Sequence, residues 1–439
     1  EARRSRSESR AMVQVINPHS VRMLRIVKWT QPKFRWFIWA LVGVVLTLQA
    51  PGYAQESFSA DGIPAVPLPD PPVEYDTAEG QRIRVSVVAD GLTYPWGFAF
   101  LPDGRVLVTE RLGTVRVIRD GVLDPSPVAG VPEVNSSQTL AGLMDIAVHP
   151  AFADNRWVYL TYSKPTESGS VVALARGRLD GQVLTEVRDL FVSNGTGGPG
   201  ASRLVFAPDG TLFMSLGGAL GGRRSVAQDP ASHVGKMLRL RDDGSAATDN
   251  PFVEHADAQA ELYSLGHRNQ MGVAIHPETG ELWASEHAPQ GGDEVNIIRP
   301  GQNYGWPEVS YSREYSGQRV AERPWREDFV QPEFVWIPSI GPSGLMFYTG
   351  DRFPGWRGDL FVGSLMTGRI ERTGHLERIK FNQRGLEQRR ESLLEPLRRR
   401  IRDVKQGPDG LIYVLTAGSF LGVDPARGAA ALLRIEPVD

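Results

Sequence analysis

FAFLPDGRVLVTE, residues 98–110, sets alternating apolar residues on either side of a Pro-Asp-Gly turn. Period-two alternation that reverses at such a turn is a β-hairpin. The pattern returns as IAVHPAFADNRWVYLTY (146–162), LVFAPDGTLFMSL (204–216) and VAIHPETGELWAS (273–285). It returns again as LMFYTGDRFPGWRGDLFVGS (345–364) and VKQGPDGLIYVLT (404–416). The turn prolines stand at 102, 150, 208, 277 and 408, with Gly350 at the matching point of the fifth copy. The spacing, roughly 50–75 residues, leaves room for two further strands and a long loop per copy. TVRVIRD (114–120), KMLRLRD (236–242) and LLRIEP (432–437) supply such outer strands.

Six four-stranded antiparallel units arranged radially make an all-β, six-bladed β-propeller. A single sheet cannot cover both of its faces, whereas stacking sheets around an axis does. RIRVSVV (82–88) precedes the first hairpin and is placed to complete the last blade, which removes the exposed edges. A β-sandwich is the competing architecture, and six copies with the turn in one place argue against it.

The chain has 439 residues, 41% of them apolar, with 47 glycines, 32 prolines and no cysteine. Disulfides and thiolate metal sites are therefore excluded. Arg25, Lys28, Lys33 and Arg35 precede the apolar run Phe37 to Leu48, and Pro51-Gly52-Tyr53-Ala54 follows it. That order is a secretory signal with cleavage expected after Ala54, Met23 as the start, and 1–22 as upstream residues. An uncleaved membrane anchor is the alternative, for which the apolar run is short. Residues 55–81, proline-rich across 61–80, read as an extended linker, and 82–439 as the propeller. Residues 1–54 carry nine Lys/Arg and two Asp/Glu, so 55–439 have 39 basic and 49 acidic residues, a net of −10. Such a surface repels polyanions and argues against nucleic-acid binding. The expected location is periplasmic or secreted, off the membrane once the signal is removed.

Function in a propeller belongs to the loops at one end of the central channel. Three polar clusters stand at hairpin ends: Gly266-His267-Arg268-Asn269, the run Glu286 to Glu294 (EHAPQGGDE), and Arg400-Ile401-Arg402-Asp403. On a strand, Arg400 and Arg402 share a face, which suits bidentate binding of a polycarboxylate. Taken singly, a strand-end arginine is commonly a surface or inter-blade ion pair. The Gly- and Asp-rich loop at 288–294 offers carbonyls and carboxylates, the ligands of a hard cation such as calcium, and also reads as an ordinary polar loop.

LYSLGHRNQMGVAIHPETGELWASEHAPQGGDEVNIIRPGQNYGWP (262–307) and PWGFAFLPDGRVLVTERLGTVRVI (95–118) resemble the soluble aldose (glucose/sorbosone) dehydrogenases that use pyrroloquinoline quinone, PQQ. So do GLMDIAVHPAFADNRWVYLTY (142–162) and RIRDVKQGPDGLIYVLT (400–416), and the resemblance spans roughly 82–437. It implies that Arg268 and Asn269 contact the quinone and that Arg400 and Arg402 bind its carboxylates. It further implies that the backbone carbonyls of Ala288 and Pro289 hold the calcium on which PQQ docks, and that Glu294 and the backbone of Tyr304 hold a second Ca2+. The implied reaction oxidises an aldose to its lactone, passing hydride to the quinone and then electrons to an external acceptor. A base must take the anomeric proton, while calcium and Arg268 stabilise the charge that develops.

The same pocket also departs from the family. The family's histidine base falls on Pro199 and its acidic neighbour on Gly198, in GGPGASRLVF (197–206). A pocket glutamine falls on Leu140 and a cofactor-contacting lysine on Met366, and no histidine lies between 150 and 232. His287 or Asp293, beside the calcium loop, is the substitute base to test. Two other functions compete: a propeller without catalysis that binds a carbohydrate or a partner, and a calcium-dependent lactonase.

Overall fold

The computed structural model describes residues 63–138, 140–194, 200–418 and 430–438. The signal segment, the cleavage site after Ala54, Gly198 and Pro199 lie outside them. Six antiparallel sheets form six blades: residues 95–123, 143–192, 204–265, 270–336 and 342–393, and a sixth that joins 400–438 to the N-terminal strand Arg82–Leu92. The expected propeller is present, and strand 82–92 completes the last blade by pairing with Ala430–Val438.

The innermost strands are Pro95–Phe100, Leu143–Val148, Leu204–Phe206, Gln270–Ile275, Pro342–Phe347 and Arg400–Gln406. Each packs against the inner strand of the next blade, and that of blade 6 returns to blade 1, closing the ring. Second strands such as Val106–Glu110, Leu282–Glu286 and Leu360–Ser364 are buried at every residue. Their alternation is lost because neighbouring blades cover both faces. Hydroxyls near the ends of these strands latch one blade to the next. Thr109 Oγ1 donates to the Met144 carbonyl at 2.5 Å, and Ser285 Oγ to that of Ser343 at 2.8 Å.

Hairpin turns lie at one end of each inner strand, so the other end gathers the strand starts and the residues after the second strands. That end receives Arg268-Asn269, Glu286-His287, Arg400-Arg402 and Arg111.

Residues 63–81 are extended and held to the propeller. Val73–Tyr75 pairs with Arg82–Leu92 as a fifth strand on blade 6. The carbonyls of Ile63, Pro64 and Val66 accept hydrogen bonds from Arg372, Arg398 and Arg399. Glu79 meets Arg378, Lys380 and Arg389, and Arg378 is fully buried against Asp359, Glu391 and the Trp356 ring. A guanidinium buried this deeply depends on all its acceptors. Glu79→Gln should therefore cost about 1–3 kcal/mol, measured by urea unfolding; unchanged stability would mean that this segment only rests on the blades.

Candidate functional site

At the axis lies a charged knot that sequence reasoning missed. Arg203, buried at the start of blade 3, sets Nη1 3.3 Å from Asp145 of blade 2 and 3.4 Å from Asp403 of blade 6. Its Nη2 donates to the Arg402 carbonyl at 3.0 Å and its Nε to that of Met271 at 2.7 Å. Asp145 accepts from the Leu204 amide at 2.8 Å, and Asp403 from that of Phe98 at 3.4 Å. Only a glycine fits at 97, where a Cβ would strike the Asp145 carboxylate.

Both acids of this knot face Arg203, and Asp403 also lies 3.9 Å from Lys405 Nζ. Arg402 stands over the Trp96 ring at 4.8 Å, and its Nε and Nη1 are buried without a hydrogen-bond partner. Burial and the charges of Arg400, Arg203 and Arg111 push its pKa well below the usual guanidinium range, and Asp403 opposes the shift. Burial brings Arg400 down to about 10. The pairing register slips between Ile401 and Asp403, so a bulge at Arg402 replaces the regular alternation expected there. The two guanidiniums nonetheless act on one another. Arg111, at the matching hairpin end of blade 1, donates to the carbonyls of Ser136, Gln138 and Ala141. Its place directly after the first hairpin's second strand, where His287 stands in blade 4, was the available signal.

Blade 4 supplies the opposite wall. Glu286 accepts from the amides of Arg268 and Asn269 and lies 3.1 Å from His267 Nδ1. The His267 ring stacks on Tyr304 at 4.5 Å, with Nε2 2.8 Å from Ser264 Oγ. So fixed, Arg268 donates to the His287 carbonyl at 2.7 Å and stands 5.4 Å from the Trp306 ring, while its Nε is buried without a partner. Asn269 Oδ1 accepts from the Ala201 amide at 2.9 Å. His287 Nε2 is buried and unpartnered, and burial together with Arg268, Arg402 and Arg400 pulls its pKa to about 3. These four residues therefore converge from blades 4 and 6.

Asp293, the other candidate base, is buried beside the calcium-loop candidate, and burial raises its pKa to about 6 against the hydrogen bonds from Ala288, Gly341 and Ser339. Its two oxygens accept from the amides of Ala288 and Gly341, each at 2.8 Å, which pins the calcium-loop candidate to the next blade. Glu294, Glu286, Ala288, Gly266 and Tyr304 line a cavity of about 20 Å³, room for one small ion or water; Pro289 is not among its walls. Burial and the neighbouring Glu286 and Asp293 raise Glu294 to about 8. Among the described residues no three His, Cys, Asp or Glu side chains group as a metal site, so a cation here needs backbone oxygens. Leu140 packs, partly buried, against the apolar cluster that includes Trp96, and the Met366 amide donates to the Ile340 carbonyl.

This chain belongs to the glucose / sorbosone dehydrogenase family, whose model matches residues 92–421. An uncharacterised protein of Synechocystis is 45% identical over 365 residues, covering 78% of this chain and 86% of that protein. The aldose sugar dehydrogenase YliI of Escherichia coli is 38% identical over 357 residues, covering 78% of this chain and 93% of that one. The PQQ-bound aldose sugar dehydrogenase of Streptomyces coelicolor superposes with a TM-score of 0.63 at 28% identity, covering 81% of this chain and 98% of that one. The fold and family expected from the repeats and motifs are thus found, and with them the class of enzyme, a sugar dehydrogenase. No helix among the described residues is long and apolar enough to cross a membrane.

Lys236 supports the Gly266 segment from below. Fully buried, its Nζ donates to the carbonyls of Val226 and Val234, each at 2.9 Å, while the Ala227 carbonyl accepts from the Gly266 amide. Burial lowers its pKa from 10.5 to about 7, against the pull of Asp229. Between those two values the unfolded chain binds the extra proton, so this group makes stability rise with pH from about 7 toward 10.5. Lys236→Met should flatten that rise in unfolding midpoints taken from pH 6.5 to 9.5; an unaltered slope would exclude Lys236 as its source.

Proposed function

We propose that the protein oxidises an aldose to its lactone in the periplasm, with PQQ held on calcium and an external acceptor taking the electrons. The observation that carries this reading is Arg402, with two buried unpartnered nitrogens beside Arg400 and Arg111. Buried cations that repel one another are sustained when an anion comes between them, and a planar polycarboxylate matches guanidinium forks.

The donor set fits both groups. Arg400 and Arg402 would bind the quinone's carboxylates, and Arg268 and Asn269 its other edge. Carbonyls of Ala288 and Pro289 would face the docked calcium, while Glu294, with Glu286 and the Tyr304 backbone, suits a second ion. When bound, PQQ supplies the electrophilic carbonyl that accepts hydride from the sugar's anomeric carbon. Arg268 directs an otherwise unpartnered Nε toward the negative charge that develops. His287, whose Nε2 is unengaged, is placed to take the hydroxyl proton. An anion among the arginines would lift its basicity from the low value they impose. Asp293 orients the loop that carries it.

PQQ titrated into purified protein with calcium should bind stoichiometrically and support dye reduction with a panel of aldoses. Arg402→Ala and Arg268→Ala should each weaken PQQ binding by about tenfold to a hundredfold. Affinity unchanged in both variants rejects the cofactor assignment. His287→Asn should retain PQQ affinity and lower turnover by roughly a hundred- to ten-thousandfold; wild-type turnover would place the base elsewhere.

A further inference from the structure

At the hairpin-turn end, opposite the basin, a cleft of about 480 Å³ opens where blade 6 meets blade 1. A pocket of that size holds a small organic molecule. Val106 and Ile118 of blade 1, Val87 of the closing strand, and the Phe100 and Tyr413 rings give it apolar walls. The two rings meet edge to face, with centroids 5.0 Å apart. Gly104, Gly121 and Pro408 bring three turns to it. Pairing of the closing strand slips between Val87 and Ala89, and the Val88 carbonyl there lies 3.4 Å from the Cβ position of Gly121 on blade 1.

Polar groups are set into these walls. Ser86 stands opposite Arg434, and Arg434 opposite Tyr413, so three adjacent strands place these side chains in one row on one face of blade 6. Asp409 accepts from the Tyr413 hydroxyl at 2.9 Å and from the Leu411 amide at 3.1 Å. Burial and that bond push the hydroxyl up to about 12, and Arg434 opposes the shift. Arg434 Nη2 makes only a long contact with Glu436, at 3.4 Å, while its Nε and Ser86 Oγ are shielded from water without a hydrogen-bond partner. Orphaned polar atoms on two neighbouring strands are uncommon enough to mark a place where a ligand belongs.

Charge selects the kind of ligand. One arginine and two aspartates, Asp120 and Asp409, line the cleft. A carboxylate would face the aspartates and an ammonium the arginine, so an ion of either sign meets a like charge. A neutral ring with an apolar C–H face and hydroxyls along its edge meets neither penalty, since each hydroxyl both donates and accepts. We propose that this cleft binds a saccharide residue, its C–H face packed on Phe100 and Tyr413 and its hydroxyls bonded to Arg434, Asp409 and Ser86. The site does no chemistry and needs no cofactor. Lying roughly 20 Å from the basin, the length of a six-residue strand, it holds a saccharide chain while the basin stays open to free sugar.

Methyl β-maltoside serves as the probe, because its capped anomeric carbons cannot be oxidised. Calorimetry on the cofactor-free protein should show it binding with a millimolar dissociation constant. Arg434→Leu and Ser86→Leu should each weaken that binding by about tenfold, with dye turnover of free aldoses by the PQQ-loaded enzyme unchanged. Arg402→Ala, at the other end of the channel, should leave glycoside affinity intact. Benzoate and putrescine, an acid and a diamine, should bind more weakly than the glycoside. Absent glycoside binding, affinity indifferent to both cleft substitutions, or tighter binding of either charged probe overturns the saccharide site. Affinity lost in Arg402→Ala and kept in the cleft variants also overturns it, by placing the sugar in the basin. Absent dye turnover in the unaltered protein counts against the dehydrogenase reading alone, because glycoside binding is read without the cofactor.

Discussion

Arg203 holds the centre of the molecule together. One guanidinium reaches carboxylates on blades 2 and 6 and carbonyls on blades 4 and 6, and those carboxylates in turn accept amides from blades 3 and 1. Five of six blades are thereby referenced to one buried point. Breaking one partner of such a group leaves an uncompensated charge inside the protein, which is far costlier than losing a surface pair. The knot also sets the electrostatics of the basin, because its acids face Arg203 and two buried nitrogens of Arg402 are left short of a hydrogen-bond partner.

That shortage connects the fold to the chemistry. Arg268 is oriented through Glu286, His267 and Tyr304, and Arg402 through its carbonyl on Arg203 and its ring contact with Trp96. Neither depends on the other for position, so both are pre-arranged, and a ligand need not organise them. Preorganised positive charge in a water-poor basin is what stabilises an anion forming during reaction.

The architecture was legible because a turn with flanking apolar residues recurs six times, as Pro-Asp-Gly in three of the copies, each time for the same reason. Strand Arg82–Leu92 was legible as the closing strand because a ring has no other place for it. Arg268, His287, Arg400 and Arg402 could be singled out in the sequence because they sit in polar clusters at hairpin ends. Arg203, Asp145, Arg111 and Trp96 were missed, since each is a single residue inside an ordinary strand or loop and is drawn in by a partner on a different blade. The shared face expected of Arg400 and Arg402 follows a simple alternation that the bulge between Ile401 and Asp403 interrupts. Second strands buried on both faces likewise hide any contrast between inward and outward residues. Pairings between distant segments leave no local mark.

Blade 6 is stitched from both ends of the propeller, with Arg82–Leu92 lying against Ala430–Val438. Its first strand therefore waits during synthesis until the last residues emerge, and the ring cannot snap shut on a partial chain. Contacts that bridge so much sequence make closure slow. A nascent polypeptide of this design stays open, and threadable, for longer than one whose blades are each complete in themselves.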